Sequence, residues 1–383
     1  METTNSSKKL LIVCQTFGYL LADIAKTFVE SNRYEKVVVL TGDASKAFSY
    51  GVEGVTIDTM YPYLKNSMKS RFISWIKGFI DIKRRIHQNY RDYELFLISN
   101  PGTVSFLHLF CKNRYYSLTW DLFPDGFLTS PTIRRLKPLL WLWGENNKKF
   151  FAKAEANFCI TEGMAKAMEK YVPREKVTVV PLWANDRVEK LNVSKNDNLF
   201  LQQNNLTDRF IVQYSGNMGQ GHALATLVEA ANLLREHKNI CFLFIGEGWL
   251  KPHLQDMVKE YGLEDTCIFL PYQPEEMLPY SFSCSDIAVV SLHAVSVSMP
   301  SKTFDIIRMG KPVICIADSS SSLSKFVRDN DFGECFVRNQ AQQIADFILM
   351  SYSNPSFLGR YRDNAKKCAA TYTRENQAIK FLM

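Results

Sequence analysis

Ser298-Met299-Pro300-Ser301-Lys302-Thr303-Phe304-Asp305-Ile306-Ile307-Arg308-Met309-Gly310-Lys311-Pro312-Val313-Ile314 reads as a loop, a short helix, a stop and a buried strand. Pro300 precedes Ser301, a candidate cap, and Gly310 then Pro312 end the helix. Ser301, Lys302 and the first free backbone N–H groups converge on one point. Orphan donors and the helix dipole both favour an anion there. Asp305 shares the helix face of Ser301 and is placed to accept hydrogen bonds from a ribose diol. The segment reads either as half of a nucleotide-diphosphate site or as an ordinary capped helix in an α/β domain.

Working outward, apolar runs alternate with helical patterns. Strands are expected at 8–14, 36–40, 95–99, 115–120, 156–160 and 177–180, and again at 210–214, 241–245, 267–270, 287–291 and 313–316. A helix is expected to reach about Glu30 after the first strand, and another about Glu236 after the strand at 210–214. Such alternation indicates mostly parallel sheets covered on both faces. The polar interval from Asp186 to Asp208 reads as an interdomain linker. The expected organisation is an α/β chain with one doubly wound domain at 1–187, a second at 208–353, and a helical tail at 354–383 that crosses back to the first. Two such domains face each other across a cleft, bordered by loops at the carboxyl ends of the strands.

The 383 residues suit two domains, and 46% hydrophobic residues exclude global disorder. A net charge of +7 fits phosphorylated substrates or an anionic membrane surface. Nucleic acid is not expected, because the basic residues form neither one long run nor a known motif. Nine scattered cysteines, with no CxxC pair, argue against disulfides or zinc and fit a reducing cytoplasm. The polar N-terminus is not read as a signal peptide. Asp329-Asn330-Asp331 has the spacing of a metal-binding pair but reads better as a turn, and no metal is expected.

Several motifs now form an ordered set: Tyr214-Ser215-Gly216-Asn217-Met218-Gly219, Gly246-Glu247-Gly248, Ser285-Asp286, and Pro300-Ser301-Lys302 followed by Gly310-Lys311-Pro312-Val313. The set resembles the nucleotide-sugar domain of glycosyltransferase family four, which has the two-Rossmann architecture called GT-B. Trp120-Asp121-Leu122-Phe123-Pro124-Asp125 resembles an element of its bacterial surface-polysaccharide branch, which builds O-antigens, capsules and exopolysaccharides. The resemblance implies retaining transfer of a sugar from a nucleotide diphosphate, with a UDP-sugar favoured, and without metal or other cofactor. It implies a saccharide or polyprenyl-diphosphate-linked acceptor at the inner membrane face.

On this reading Gly216, Asn217 and Gly219, with Ser301 and Lys302, hold the diphosphate, and Lys302 also stabilises the leaving group. Glycine lets backbone amides approach an anion; a tight turn without ligand is the alternative. Many family members carry an Arg and a Lys near this loop, where Met218, Gln220 and His222 stand here. The resemblance places Gly246 and Glu247 in the nucleotide pocket, Tyr272 near the base and Asp305 on the ribose. The family's first glutamate falls on Val297, leaving Ser296, Ser298 and His293 as nearby polar groups. Gly18 borders the cleft in the first domain, or simply starts a helix. Asp121 is preferred over Asp125 as the group that orients or deprotonates an acceptor hydroxyl; both also suit a turn.

Residues 69–86 place Phe72, Ile73, Trp75, Ile76, Phe79, Ile80 and Ile86 on one broad helical face, with Lys77, Asp81, Arg84 and Arg85 opposite or flanking it and Lys69 and Lys83 close by. This is the pattern of an interfacial helix, and the basic-aromatic stretch 134–143 adds to it. A peripheral position at the cytoplasmic face of the membrane is expected. Two alternatives remain: a hydrolysing nucleotide-sugar epimerase of the same fold, and a non-catalytic sugar-nucleotide-binding partner subunit.

Overall fold

The computed structural model describes residues 8–64, 67–127, 136–186, 193–292 and 297–383. The chain divides into two units, Met1–Pro181 with Arg374–Met383, and Leu182–Thr373. The first has strands β1 (Lys9–Val13), β2 (Lys36–Thr41), β3 (Val55–Thr59), β4 (Glu94–Ile98), β5 (Tyr115–Thr119), β6 (Asn157–Cys159) and β7 (Val177–Val179). They form one parallel sheet in the order β3-β2-β1-β4-β5-β6-β7. Leu10 to Val13 and Val37 to Leu40 are buried, as expected for parallel strands covered on both faces. Helices α1 (Tyr19–Glu30), α2 (Ala44–Tyr50), α3 (Met68–Asn89), α4 (Lys137–Lys153) and α5 (Glu162–Met168) complete the layers.

The second unit has a six-stranded parallel sheet of β8 (Phe210–Ser215), β9 (Ile240–Ile245), β10 (Cys267–Leu270), β11 (Ile287–Ser291), β12 (Val313–Ile316) and β13 (Gly333–Phe336). Its order is β10-β9-β8-β11-β12-β13. The helices are α6 (Leu199–Gln203), α7 (Leu224–Leu233), α8 (Lys251–Tyr261), α9 (Leu278–Ser283), α10 (Lys302–Arg308), α11 (Ser322–Asn330), α12 (Ala341–Ser353) and α13 (Gly359–Thr371). Both sheets reverse direction of growth once, between β1 and β4 and between β8 and β11. Ligands of such sheets bind beyond the carboxyl ends of the strands at these reversals.

The unit boundaries differ from the sequence expectation. The second unit starts at Leu182, not 208. Inside the supposed linker, Asn198 caps α6 by accepting the Leu201 N–H (3.1 Å), and Phe200 and Leu201 are buried. The tail also divides. α13 packs on α10 in the second unit, while α14 (Arg374–Ala378) and the residues after it belong to the first. Phe381 lies between Phe96 (5.5 Å) and Phe158 (5.1 Å). α3 also departs from expectation: Trp75 is buried with Phe127 and Leu140, so it is a core residue rather than part of an outward face. Asp331 caps α11 in the left-handed region and pairs with Arg360, and Asp329 pairs with Lys325. These contacts make the Asp329–Asp331 segment a helix end. The first seven residues, and Arg134 and Arg135, lie outside the described residues.

Candidate functional site

Two loops meet at the carboxyl edge of the second sheet. The loop after β8 runs through Gly216, Asn217 and Gly219, and the loop after β9 is Gly246-Glu247-Gly248. Their backbones are joined by Gly216 N–H to Ile245 O (2.9 Å), Met218 N–H to Glu247 O (2.8 Å) and Leu250 N–H to Met218 O (2.9 Å). Gly246 (φ +133°) and Gly248 (φ +155°) lie where side chains are rarely tolerated, and a Cβ would overlap Gly216 O or Met218 O. These two glycines are therefore explained by loop-on-loop packing. The resemblance places Gly246 in the nucleotide pocket, with a plain turn as the alternative. Ser291 Oγ, at the end of β11, accepts the Ala223 N–H (3.1 Å) and ties the β8 loop to the point where the strand order reverses.

Lys302 opens α10 on this edge. Its Nζ donates to Ser215 O (3.2 Å) and Ser215 Oγ (3.4 Å), at the end of β8, and lies 5.9 Å from the centre of the Phe282 ring. Among the described residues it forms no salt bridge. Desolvation pushes its ammonium below the usual lysine range, partly offset by the Asp305 charge. Ser301 sits beside it in helical conformation without a side-chain cap bond, so the expected Ser cap does not form. Asp305 also departs from expectation. It is 5% exposed, and its Oδ1 accepts the Asn185 N–H (2.9 Å). Burial raises its carboxyl to about 7, against the lowering effects of that hydrogen bond and of Lys302. A carboxylate turned into the protein in this way is not presented to a ribose diol.

Tyr272 follows β10 and is half exposed, with its ring against Gly246. Desolvation raises its phenol, moderated by a hydrogen bond to the Glu247 backbone. Glu247 pairs with Lys251 (2.7 Å), whose Nζ also donates to Gly246 O (3.2 Å). Lys251 is a second cation at the loop pair that the sequence reading missed. The Glu247–Lys251 spacing at the start of a helix was its only signal.

In the first unit, Gly18 precedes α1 with extended backbone (φ −167°), and a Cβ there would meet nothing within 4 Å. Neither conformation nor packing within the chain demands glycine at this position. Asp121 follows β5 and is exposed to solvent. Partial desolvation by surrounding protein raises its carboxyl. Its loop is held by Ser99, whose Oγ accepts the N–H groups of Trp120 (2.9 Å) and Asp121 (3.0 Å). Ser99 was also missed, since a lone serine after a strand carries no distinctive pattern. Asp125 is engaged by Lys170 and by the Tyr171 hydroxyl (2.7 Å), which leaves Asp121 the freer carboxylate. His293 and Ser296 lie outside the described residues.

Two Rossmann-like units with parallel sheets of this order define the GT-B fold. The Anabaena protein Alr3699/HepE, solved in complex with UDP and glucose, superposes with a TM-score of 0.75 at 14% identity, covering 98% of this chain and 99% of that one. Residues 196–368, all within the second unit, match the family described as "Glycosyl transferases group 1". The chain is 30% identical over 165 residues to WcaI of Escherichia coli (strain K12), named as a colanic acid biosynthesis glycosyl transferase. It is 21% identical over 226 residues to the alpha-D-kanosaminyltransferase of Streptomyces kanamyceticus. These alignments cover 42% and 58% of this chain but only 40% and 57% of the relatives.

Proposed function

We propose that this chain is a retaining glycosyltransferase. It would move a sugar from a nucleotide diphosphate, with UDP-sugars favoured, to a saccharide or lipid-linked saccharide in surface polysaccharide synthesis. The observation that carries the donor assignment is Lys302. Its ammonium is desolvated at the strand-order reversal, and among the described residues its hydrogen-bond partners are the neutral oxygens of Ser215. The Asp305 charge offsets that desolvation only in part; a poorly compensated buried charge is costly, and a diphosphate supplies further negative charge. As the glycosidic bond to the diphosphate breaks, negative charge grows on the leaving oxygen. A fixed cation stabilises that change without reorganising. UDP in the HepE crystals and the group 1 match support the same reading. Gly216, Asn217, Gly219 and Ser301 would supply the remaining contacts to the diphosphate. Asp121 would orient the acceptor hydroxyl or take its proton, which its raised carboxyl favours. No metal is assigned a role.

The test is transfer from a panel of radiolabelled UDP-sugars to lipid-linked acceptors, with Asp121→Asn alongside. Asp121→Asn should still bind donor and should lose turnover; undiminished turnover overturns its assignment. Val297, standing where the resemblance puts a glutamate, favours one second reading, a donor-binding partner subunit without activity. UDP binding without turnover on any acceptor would select it.

A further inference from the structure

α3 carries two apolar stripes. Trp75, Gly78, Ile82 and Ile86 recur at helical spacing and are buried, which meets the need of a core helix for an apolar face. Ile73, Ile76 and Ile80 form another stripe that the core does not use; Ile76 is 56% and Ile80 58% exposed. α4 repeats the arrangement. Leu140 joins the buried cluster with Trp75 and Phe127, while Leu139, Trp141 and Leu142 are exposed, Trp141 at 64%. The 3-10 turn Gly102–Leu109 packs against both helices, with Phe106 5.4 Å from Trp143. Phe110, just after it, lies 5.8 Å from Phe79. Both helices thus cover one cluster and leave a second set of large apolar residues in water.

Basic residues outnumber acidic ones on both helices, and the one carboxylate of α4, Glu145, is paired with Lys148 (2.7 Å). Lys69, Lys77 and Arg84 interleave with the isoleucines at helical spacing, and Lys137 opens α4. The one carboxylate of α3, Asp81, is already paired with Arg84 and Arg85. We propose that the outer faces of α3 and α4 together dock on an anionic lipid bilayer, with Ile76, Ile80 and Trp141 entering the headgroup boundary and the lysines and arginines meeting lipid phosphates. A second copy of the chain is a poorer occupant, because two faces of the same charge repel. Among the described residues no helix is long and apolar enough to cross a membrane, so the contact is interfacial. The proposal does not depend on the glycosyl-transfer reading.

The experiment is flotation of the full chain with phosphatidylglycerol–phosphatidylcholine vesicles and with phosphatidylcholine alone. The paired change Ile76→Ser with Ile80→Ser, and separately Trp141→Ser, should each weaken partition to the anionic vesicles by about tenfold or more. These side chains are exposed, so melting temperatures should stay near wild type, which separates lost docking from lost folding. Raising the salt from about 0.1 M to about 1 M shortens the Debye length from about 10 Å to about 3 Å and should release the protein. No binding to anionic vesicles at low salt overturns the proposal. So does equal binding to phosphatidylcholine alone, unaltered binding by the variants, or a stable dimer that the same substitutions dissociate.

Discussion

Asp305 is a buried carboxyl beside the site, and burying an ionisable group has a cost. Burial lifts its carboxyl to about 7, from about 3.9 for a free aspartate. The folded pKa lies above the unfolded one, so the fold favours the protonated form. This contribution is complete below about pH 4 and is lost as pH rises through about 7. Asp305→Asn keeps a carbonyl oxygen for the Asn185 N–H and has no charge to bury. Urea melts should show the variant gaining stability relative to wild type, by up to a few kcal/mol, between pH 4 and pH 8. A constant difference across that range would contradict this picture. Because the carboxylate faces Asn185, UDP and 2′-deoxy-UDP should bind wild type with similar affinity in calorimetry. The reverse trade holds at Lys302. Lys302→Met removes a desolvated cation and should leave stability unchanged or raised. It should also weaken UDP binding by at least about tenfold, near 1.4 kcal/mol.

Two kinds of glycine separate at the level of elements. Gly246→Ala forces a side chain into a positive-φ position and onto the β8 loop. It should cost about 2 kcal/mol or more in chemical denaturation and loosen the donor loops with it. Gly18→Ser adds a side chain to open space at the start of α1, where serine is a good cap. Stability should change by less than about 0.5 kcal/mol, while transfer falls if substrate occupies that space. A stable and fully active Gly18→Ser enzyme would remove Gly18 from the site. The sequence alone did not separate these glycines, because spacing shows where they lie and not what lies above them. It placed the buried parallel strands well, since β1, β2 and β9 are nearly continuous apolar runs and β8 is interrupted only by Gln213 before its end. It missed β3, an edge strand whose Val55-Thr56-Ile57-Asp58-Thr59 is only half-buried and has no such run. For α3 it merged two stripes into one, because apolar residues nearly encircle the helix and only packing shows which side is covered. The position of Lys302 at the start of α10 was legible from its place after a proline. The inward turn of Asp305 was not, since its partner Asn185 is distant in sequence.

The whole molecule passes between its units twice, once at Pro181 and Leu182 and again at Thr373 and Arg374. The second passage brings Phe381, 5% exposed, into the core of the first unit against Phe96 and Phe158. Phe381→Ala should therefore destabilise the first unit by about 3–5 kcal/mol without touching the second. Tryptophans report the units separately: Trp75, Trp120, Trp141 and Trp143 lie in the first, and Trp183 and Trp249 in the second. Removing the second pair leaves fluorescence that follows the first unit, and removing the first four leaves the reverse. Ligand binding adds a test of where the donor site resides. UDP at about a hundredfold its dissociation constant stabilises the unit that holds it by about 2.7 kcal/mol. If Lys302 and the paired glycine loops make up the donor site, that shift appears in the second unit's transition. It persists in Phe381→Ala and disappears in Lys302→Met. An equal shift in the first unit's transition would mean that residues such as Gly18 hold the nucleotide as strongly as Lys302 does.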